Sequence, residues 1–520
     1  MKTILLWDPR FPDRKPTRLT LDDAVAAAAV RSGVAAAANP AEAGELGAGG
    51  ALDAGMPTEV MIQHGRNGGG LSRVFLPYSV VMVGALAGVL AAIGTPIAGG
   101  VTLPPTPTPS VLRTVSANMI GQASSTGAGR KLHAFRARKY IGSGAVKSIT
   151  VGLHNWYSNS GTETLYPNDA VFEIYAYYNG VEVIVTKDSS PVITVPSGAT
   201  DFKCDAILPG AFGVAQIPRG DFVELRGTLH RSGASAVTPA SQVIQAGSSG
   251  AGVEALWLDT DGSVTGTAQT LTNLRSPGTA FVVSAGAKYA SQSGFLPNLW
   301  GLFVDGDPVT ELHFGDSIDV GLAQSAAQGG ALGTGRNAQA THDAGTITNF
   351  TAFVSIAVGG SVISHFNTAE KLTTPYMKYA KYALGFGLTN DFLTTGLGKT
   401  PAEALDVSRK LWALLKTQGV LKILQLSGQT RGSGNSTDDA SQTIGAGWQA
   451  GGNVEQFYAL LPAEIAAGRI DKFLNFESWR SPTDRYKWRS GGSPDLTHNS
   501  NGVHLDEAIE LRAAKVGLFV

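Results

Sequence analysis

Cysteine is almost absent from this chain: its 520 residues include one, Cys204. That excludes an internal disulfide, and no Cys/His cluster has the spacing of a structural zinc site. A reducing cytosol is therefore the expected place of folding. Charge is also scarce, at 16% Asp, Glu, Lys and Arg, against about a quarter in an ordinary domain. Forty basic residues face forty-one acidic ones without a dense Lys/Arg run. This leaves no electrostatic footprint for a phosphate backbone and argues against a nucleic-acid partner. A secretory leader is not expected either, because Asp8 and Arg10 interrupt the short apolar stretch after Met1-Lys2. The longest uncharged run, residues 74–112, contains SVVMVGALAGVLAAIG at 79–94, with Gly84 and Gly88 in small-xxx-small spacing. Its glycines, the break at Thr95-Pro96 and the lack of a basic flank before Arg113 favour burial in a homo-oligomer over a membrane span.

Glycine, by contrast, is abundant, at 65 residues, so loops are plentiful. The length calls for two or three domains, and changes in sequence grammar mark the seams. Residues 1–100 are Ala/Gly-rich, and AVAAAAVRSGVAAAA is helix-prone but has little to fill a core. They are read as an attachment or oligomerisation arm. Residues 101–112 carry VTLPPTPTPS, whose prolines enforce an extended linker.

Residues 113–310 turn to short alternating runs of Val, Ile, Tyr and Phe, the pattern of an all-β sandwich. Strands are predicted at 148–153, 171–178 and 181–185, the last two joined through Asn179-Gly180 as a two-residue hairpin. Trp156, Tyr175, Tyr177 and Tyr178 have the chemistry of sugar-stacking residues, but aromatic residues in alternating strands are read first as core or cross-strand packing. Asp259-Thr260-Asp261-Gly262 lacks the twelfth-position glutamate of a calcium loop and reads as a hairpin turn.

After residue 310, apolar runs at 311–314, 350–358, 382–387, 421–427 and 472–476 alternate with helical stretches. Five such strands predict a C-terminal α/β domain with a doubly wound, flavodoxin-like parallel sheet. Its clearest helix opens at Thr400-Pro401-Ala402-Glu403, a capping box with proline at the first helical position, and closes before Gly419. Ligands of such sheets bind beyond the carboxyl ends of the strands.

Candidate chemistry gathers at those ends. Phe314-Gly315-Asp316-Ser317-Ile318 places Ser317 on a turn after the first strand. The second strand runs into Gly359-Gly360-Ser361 and the third into Thr389-Asn390-Asp391. An acyl-transfer transition state needs preorganised donors around one oxygen. The Ser317 and Gly360 backbone N–H groups and the Asn390 amide are candidates for that oxyanion hole.

Serine, glycine, asparagine and a late histidine, in that order, resemble the four blocks of the SGNH (GDSL-like) hydrolase superfamily. The resemblance covers residues 311–520. It implies an esterase that needs no metal or cofactor and often removes O-acetyl groups from carbohydrate, with Ser317 as nucleophile. Gly387 lies three residues before Asn390 instead of the family's two. The histidine block offers two frames. His504 lies just before the final helix, with Asn501 where the family has an acid, and its position favours it as base. In the alternative base pair, Asp495 and His498 satisfy Asp-x-x-His outright. Asn501 can orient an imidazole but cannot stabilise the imidazolium formed as the serine loses its proton.

The order of arm, Pro/Thr linker, sandwich and esterase resembles spike or fibre proteins of bacteriophages and phage-like particles. The expectation is a virion-surface protein assembled in the host cytoplasm. It would bind other particle proteins through residues 1–100, recognise a host cell-surface polysaccharide and hydrolyse its acyl esters. Two alternatives stay open: a non-catalytic adhesin that keeps the esterase fold, and a membrane-anchored cellular carbohydrate esterase held by residues 79–94.

Overall fold

The computed structural model describes residues 111–120, 127–128, 132–159, 161–231, 237–238, 254–258, 288–289, 297–320, 337, 340–341, 350–385, 389–392, 398–496 and 498–519, with five strands nearer the N-terminus. The chain divides into two units, Met1–Thr106 and Pro107–Val520.

In the first unit Lys2–Leu6 pairs antiparallel with Thr17–Leu21 and with Ala35–Ala37, and Pro57–Gln63 pairs with Leu71–Pro77. The helix-prone alanine run therefore ends in a strand. Pairing of Ala35–Ala37 with Ile4, Leu5 and Leu6 outweighs the helical preference of alanine, which is a weak prior. The rest of that run, and the apolar stretch 79–94, lie outside the described residues. Among the described residues no helix is long and apolar enough to cross a membrane.

The second unit begins with an antiparallel sandwich. One sheet has the order Phe202–Ile207, Val146–Leu153, Asn298–Phe303, Arg113–Thr114. The other is built around Ala170–Tyr178, Phe222–Arg231 and Leu132–Tyr140. The alternation read in the sequence is the cause: Phe172, Ile174 and Ala176 point into a shared core with Ile149, Val151, Leu225 and Leu229. The hairpin at Asn179-Gly180 forms as expected. Tyr178 lies opposite Val181, and both turn residues have positive φ, 51° and 77°, as a type I′ turn requires. Cys204 is buried, and burial pushes its thiol up to about 12. The Asp259–Gly262 turn reading (residues 259–262) lies outside the described residues.

The C-terminal sheet has parallel strands β1 (Glu311–Phe314), β2 (Phe353–Ser355), β3 (Tyr382–Gly385), β4 (Lys422–Leu426) and β5 (Lys472–Leu474) in the order β5-β4-β3-β1-β2. This is the doubly wound order 2-1-3-4-5, whose switch point lies between β1 and β3. Helices α1 (Pro401–Thr417) and α2 (Asn453–Ala466) cover one face, packing Leu411, Trp412, Phe457 and Leu461 against Leu312, Ala383 and Ile423. Helix α3 (Asn501–Lys515) covers the other, with Val503 and Leu511 against Leu384 and Leu424. The start of α1 is as read: Thr400 Oγ1 accepts from Glu403 N and Glu403 Oε2 accepts from Thr400 N.

One feature corrects the sequence reading. The sheet has six strands, not five, because Ala117–Met119 pairs parallel with β2. A three-residue edge strand some two hundred positions upstream carries no periodicity by which to recognise it. Asn118 on that strand also exchanges hydrogen bonds with the Leu299 backbone of the sandwich, at 2.8 and 2.9 Å. The sandwich and the parallel sheet are joined further by aromatic packing. Trp300 stacks on Tyr379 at 4.2 Å between centroids, and Trp156 and Trp300 both meet Tyr376. Trp156 is thus core, fully buried. Asp201 accepts from Lys378 Nζ and Tyr379 Oη, and Glu163 accepts from the Leu372 and Thr373 amides. Removing the Trp300 side chain would empty the centre of this seam. Trp300→Ala is expected to cost about 3–5 kcal/mol, read as a lowered denaturation midpoint; a loss below about 1 kcal/mol would show that the seam is not cooperative with the two cores.

Candidate active site

The turn after β1 is built around Gly315. A Cβ there would lie 1.8 Å from Asp319 Oδ2, so only glycine lets the Asp319 carboxylate fold back over it. Asp319 Oδ1 accepts from Asn337 Nδ2 at 3.0 Å. Asp316 Oδ1 accepts from the Ile318 amide at 2.9 Å, and Ser317 opens the one-turn helix Ser317–Val320. Beside it, Val358 N donates to Gly315 O at 3.1 Å, drawing the end of β2 alongside. Gly360 has φ 76°, a left-handed conformation that closes the turn in which Ser361 N donates to Val358 O.

The third strand end completes the group. Asn390 Nδ2 donates to Ser361 O at 2.9 Å and lies 3.5 Å from Asp316 Oδ2. The structure therefore brings together the three strand ends carrying Ser317, Gly360 and Asn390. Gly360 is exposed, while Ser317 and Asn390 are largely buried. Gly387 lies outside the described residues. Asp391, fully buried, accepts from Ile363 N at 3.1 Å and pairs with Lys399 at 3.0 Å, tying the β3 loop to the β2 loop. Burial pushes its carboxyl above the usual range, against the pull of Lys399.

The two histidine frames separate clearly. Asp495 Oδ2 and His498 Nδ1 are 2.7 Å apart, and Asp495 Oδ1 accepts from the His498 amide at 2.7 Å. The His498 side chain keeps about a fifth of its surface exposed, 21%. His504 is in the first turn of α3 and is wholly buried, its amide donating to Ser500 O. Asn501 is the first residue of α3.

Arg431, Gln429, Asn499 and Glu507 were not singled out from the sequence. Arg431 Nη2 donates to Asn390 Oδ1 at 2.9 Å. Glu507 on α3 accepts from Gln429 Nε2 at 2.6 Å and Asn499 Nδ2 at 2.7 Å, joining the loop after β4 to the histidine loop. Gln429 and Arg431 sit just beyond the predicted strand 421–427, so strand-end position alone was a usable signal. Glu507 had none, since it lies within a helix and joins two loops that only the fold brings together. A cavity of about 450 Å³ opens among the loops following β4 and β5, lined by Thr437, Asp438, Asp439, Thr483, Asp484 and Lys487. Among the described residues no group of three or more His, Cys, Asp or Glu side chains could hold a metal ion.

The strand that delivers Ser317 rests on buried charge. Glu311 accepts from Lys515 Nζ at 2.8 Å and His313 Nε2 at 3.0 Å. Burial alone would raise the Glu311 carboxyl, but Lys515 and His313 outweigh it and hold it below its ordinary value. Burial likewise lowers His313, against Glu311. A depressed carboxyl contributes stability above its unfolded value and loses it as pH falls through the folded one. Lys515→Met is expected to reverse that sign, because burial of Glu311, now opposed by His313 alone, then raises it. The variant should lose about 3–5 kcal/mol near neutral pH, and its deficit against wild type should shrink between about pH 7 and pH 4 as Glu311 protonates. Urea midpoints across that range check this; a deficit independent of pH would remove Glu311 from the explanation.

No family model matches the chain, and no curated protein matches it. Among solved structures, similarity is found to Est24, a carbohydrate acetylesterase from Sinorhizobium meliloti, at 17% identity over 41% of this chain and 100% of that one, TM-score 0.27. A family two carbohydrate esterase from Cellvibrio japonicus matches at 9% identity over 79% and 98%, TM-score 0.25. A peptidoglycan O-acetylesterase matches at 9% over 79% and 83%, TM-score 0.33. The fold is given by the order of the sheet's strands.

Proposed function

We propose that the chain is a serine esterase that hydrolyses O-acyl groups on carbohydrate. The observation that carries the reading is the convergence of Ser317, Gly360 and Asn390 at the β1/β3 switch point, with Asn390 Nδ2 bonded to Ser361 O. In this reading Ser317 Oγ attacks the acyl carbon and passes its proton to His498 Nε2. His498 then gives the proton to the departing sugar hydroxyl, and water attacking the acyl-enzyme by the same route releases the carboxylic acid. The Ser317 and Gly360 amides and Asn390 Nδ2 receive the oxyanion.

For the base, the 2.7 Å pair of Asp495 and His498 supports the Asp-x-x-His frame over His504 with Asn501. A carboxylate on Nδ1 leaves Nε2 to the serine and stabilises the imidazolium. A base must also serve the incoming water, which suits a partly exposed ring better than one inside α3.

Ser317→Ala and His498→Ala should each lower turnover of a chromogenic aryl acetate by at least about 10³-fold, with His504→Phe costing far less, because members of one catalytic unit fail together. Turnover that survives Ser317→Ala would refute the esterase; binding of acylated polysaccharide without any turnover would support the adhesin instead. Full loss in His504→Phe with a folded protein and an active His498→Ala would return the base to His504.

As the wider role we propose a virion or phage-like particle spike that engages a host surface polysaccharide, a reading that comes from the order of segments in the sequence. Deleting residues 1–106 should leave a soluble, ester-hydrolysing protein that no longer assembles into particles, as measured by sedimentation of particles after co-expression. An aggregated or inactive fragment would show that these residues belong to the enzyme's fold.

A further inference from the structure

An amide side chain works as an oxyanion donor only if its NH₂ end, and not its oxygen, faces the reacting centre. Asn390 is held in that sense from outside. Arg431 lies past the end of β4, on the same carboxyl edge as Ser317. Its backbone is pinned, since Arg431 O accepts from Gly445 N at 2.7 Å and Thr430 O accepts from Trp488 Nε1 at 3.1 Å. A guanidinium can only donate. The 2.9 Å bond from Arg431 Nη2 to Asn390 Oδ1 therefore fixes which end of the amide points where. Turning the amide over would set its NH₂ against a second donor and leave both without an acceptor. The other end is consequently directed at Ser361 O and toward Asp316, next to the nucleophile's turn.

The charge on Arg431 adds to this. Arg431 is half-buried, and its Nε is buried without a hydrogen-bond partner. Burial pulls it below its ordinary range while Asp316 and Asp495 pull it back. These are the carboxylate next to the nucleophile and the one behind His498. A fixed positive charge in a water-poor site acts strongly on negative charge that develops nearby.

We propose that Arg431 is a positioning residue of the esterase: it locks the Asn390 amide with Nδ2 toward the oxyanion and sets positive charge behind it. This rests on the esterase reading above. Since the locked amide meets full negative charge only in the transition state, its loss belongs in kcat and not in KM. A residue that merely anchors the loop would change stability and leave this split unmoved.

The test is a double-mutant cycle on the full chain with an aryl acetate. Arg431→Met should lower kcat roughly 10- to 100-fold with KM within about twofold, less than the roughly 100- to 1,000-fold expected when an oxyanion donor is removed outright. In an Asn390→Ala background, Arg431→Met should cost no more than about threefold, because the group it positions is gone. Arg431→Lys keeps charge and a donor without the planar fork, and should recover part of the loss. It also carries the cycle if the Met variant does not fold. Equal losses from the Arg431 substitution with and without Asn390, or a raised KM at unchanged kcat, would overturn the proposal while leaving the esterase standing. Turnover that wild type and Ser317→Ala share equally would overturn the esterase reading, and the role of Arg431 with it.

Discussion

The seam between the sandwich and the parallel sheet is the constraint on which the second unit depends. Trp156 and Trp300 from the sandwich meet Tyr376 and Tyr379 from the segment between β2 and β3, in one apolar cluster that also contains Leu312 and Phe314 of β1. Large aromatic side chains dominate such packing because each removes much surface from water. Polar contacts that need defined geometry then give the seam its register. Arg113 spans it with a bidentate pair to Asp307 and bonds to the Lys378 and Ala380 carbonyls. With this much buried on both sides, the sandwich and the sheet share a core and do not behave as beads on a string.

That shared core reaches the edge that carries Ser317, Gly360 and Asn390. Gly161, in the tight turn of a sandwich hairpin, has φ 81°, and a Cβ there would sit 1.5 Å from His365 Nδ1. His365 closes the 3₁₀ turn that follows Gly359-Gly360-Ser361. The sandwich therefore packs directly against the segment carrying one of the proposed oxyanion donors. On the opposite face of the sheet, the Glu311–His313–Lys515 group fixes β1 from below, tying the strand before Ser317 to the last turn of α3. Buried charge is costly unless paired and hydrogen-bonded, and each member here has its partner within 3.0 Å. The strand before Ser317 is thus held from two sides by interactions of different kinds.

Much of the C-terminal sheet was legible because parallel strands buried on both faces read as short apolar runs, and their ends were marked by Gly, Ser and Asn. Ser317, Gly360 and Asn390 were singled out for that reason. The choice between His498 and His504 was not legible in the same way. Both lie within one short stretch, and which ring becomes buried depends on where α3 starts, a matter of one helical turn. Arg431 had only its place past a predicted strand to mark it, and Glu507 had no mark, because the bonds to Asn390 and Gln429 join residues far apart in sequence.

By itself the sequence determined what local physics can specify: the I′ hairpin at Asn179-Gly180, the capping box at Thr400, the alternation that makes the sandwich and the strand ends that carry the polar residues. Tertiary structure decided the rest. It assigned Trp156 to a core and not to a surface, and it recruited Ala117–Met119 as a sixth strand. It also set Asp495 against His498 and turned the Asn390 amide through Arg431. Each of these joins elements that are separate along the chain or competes with a local alternative of similar energy. Such choices are made only when the cores close around them.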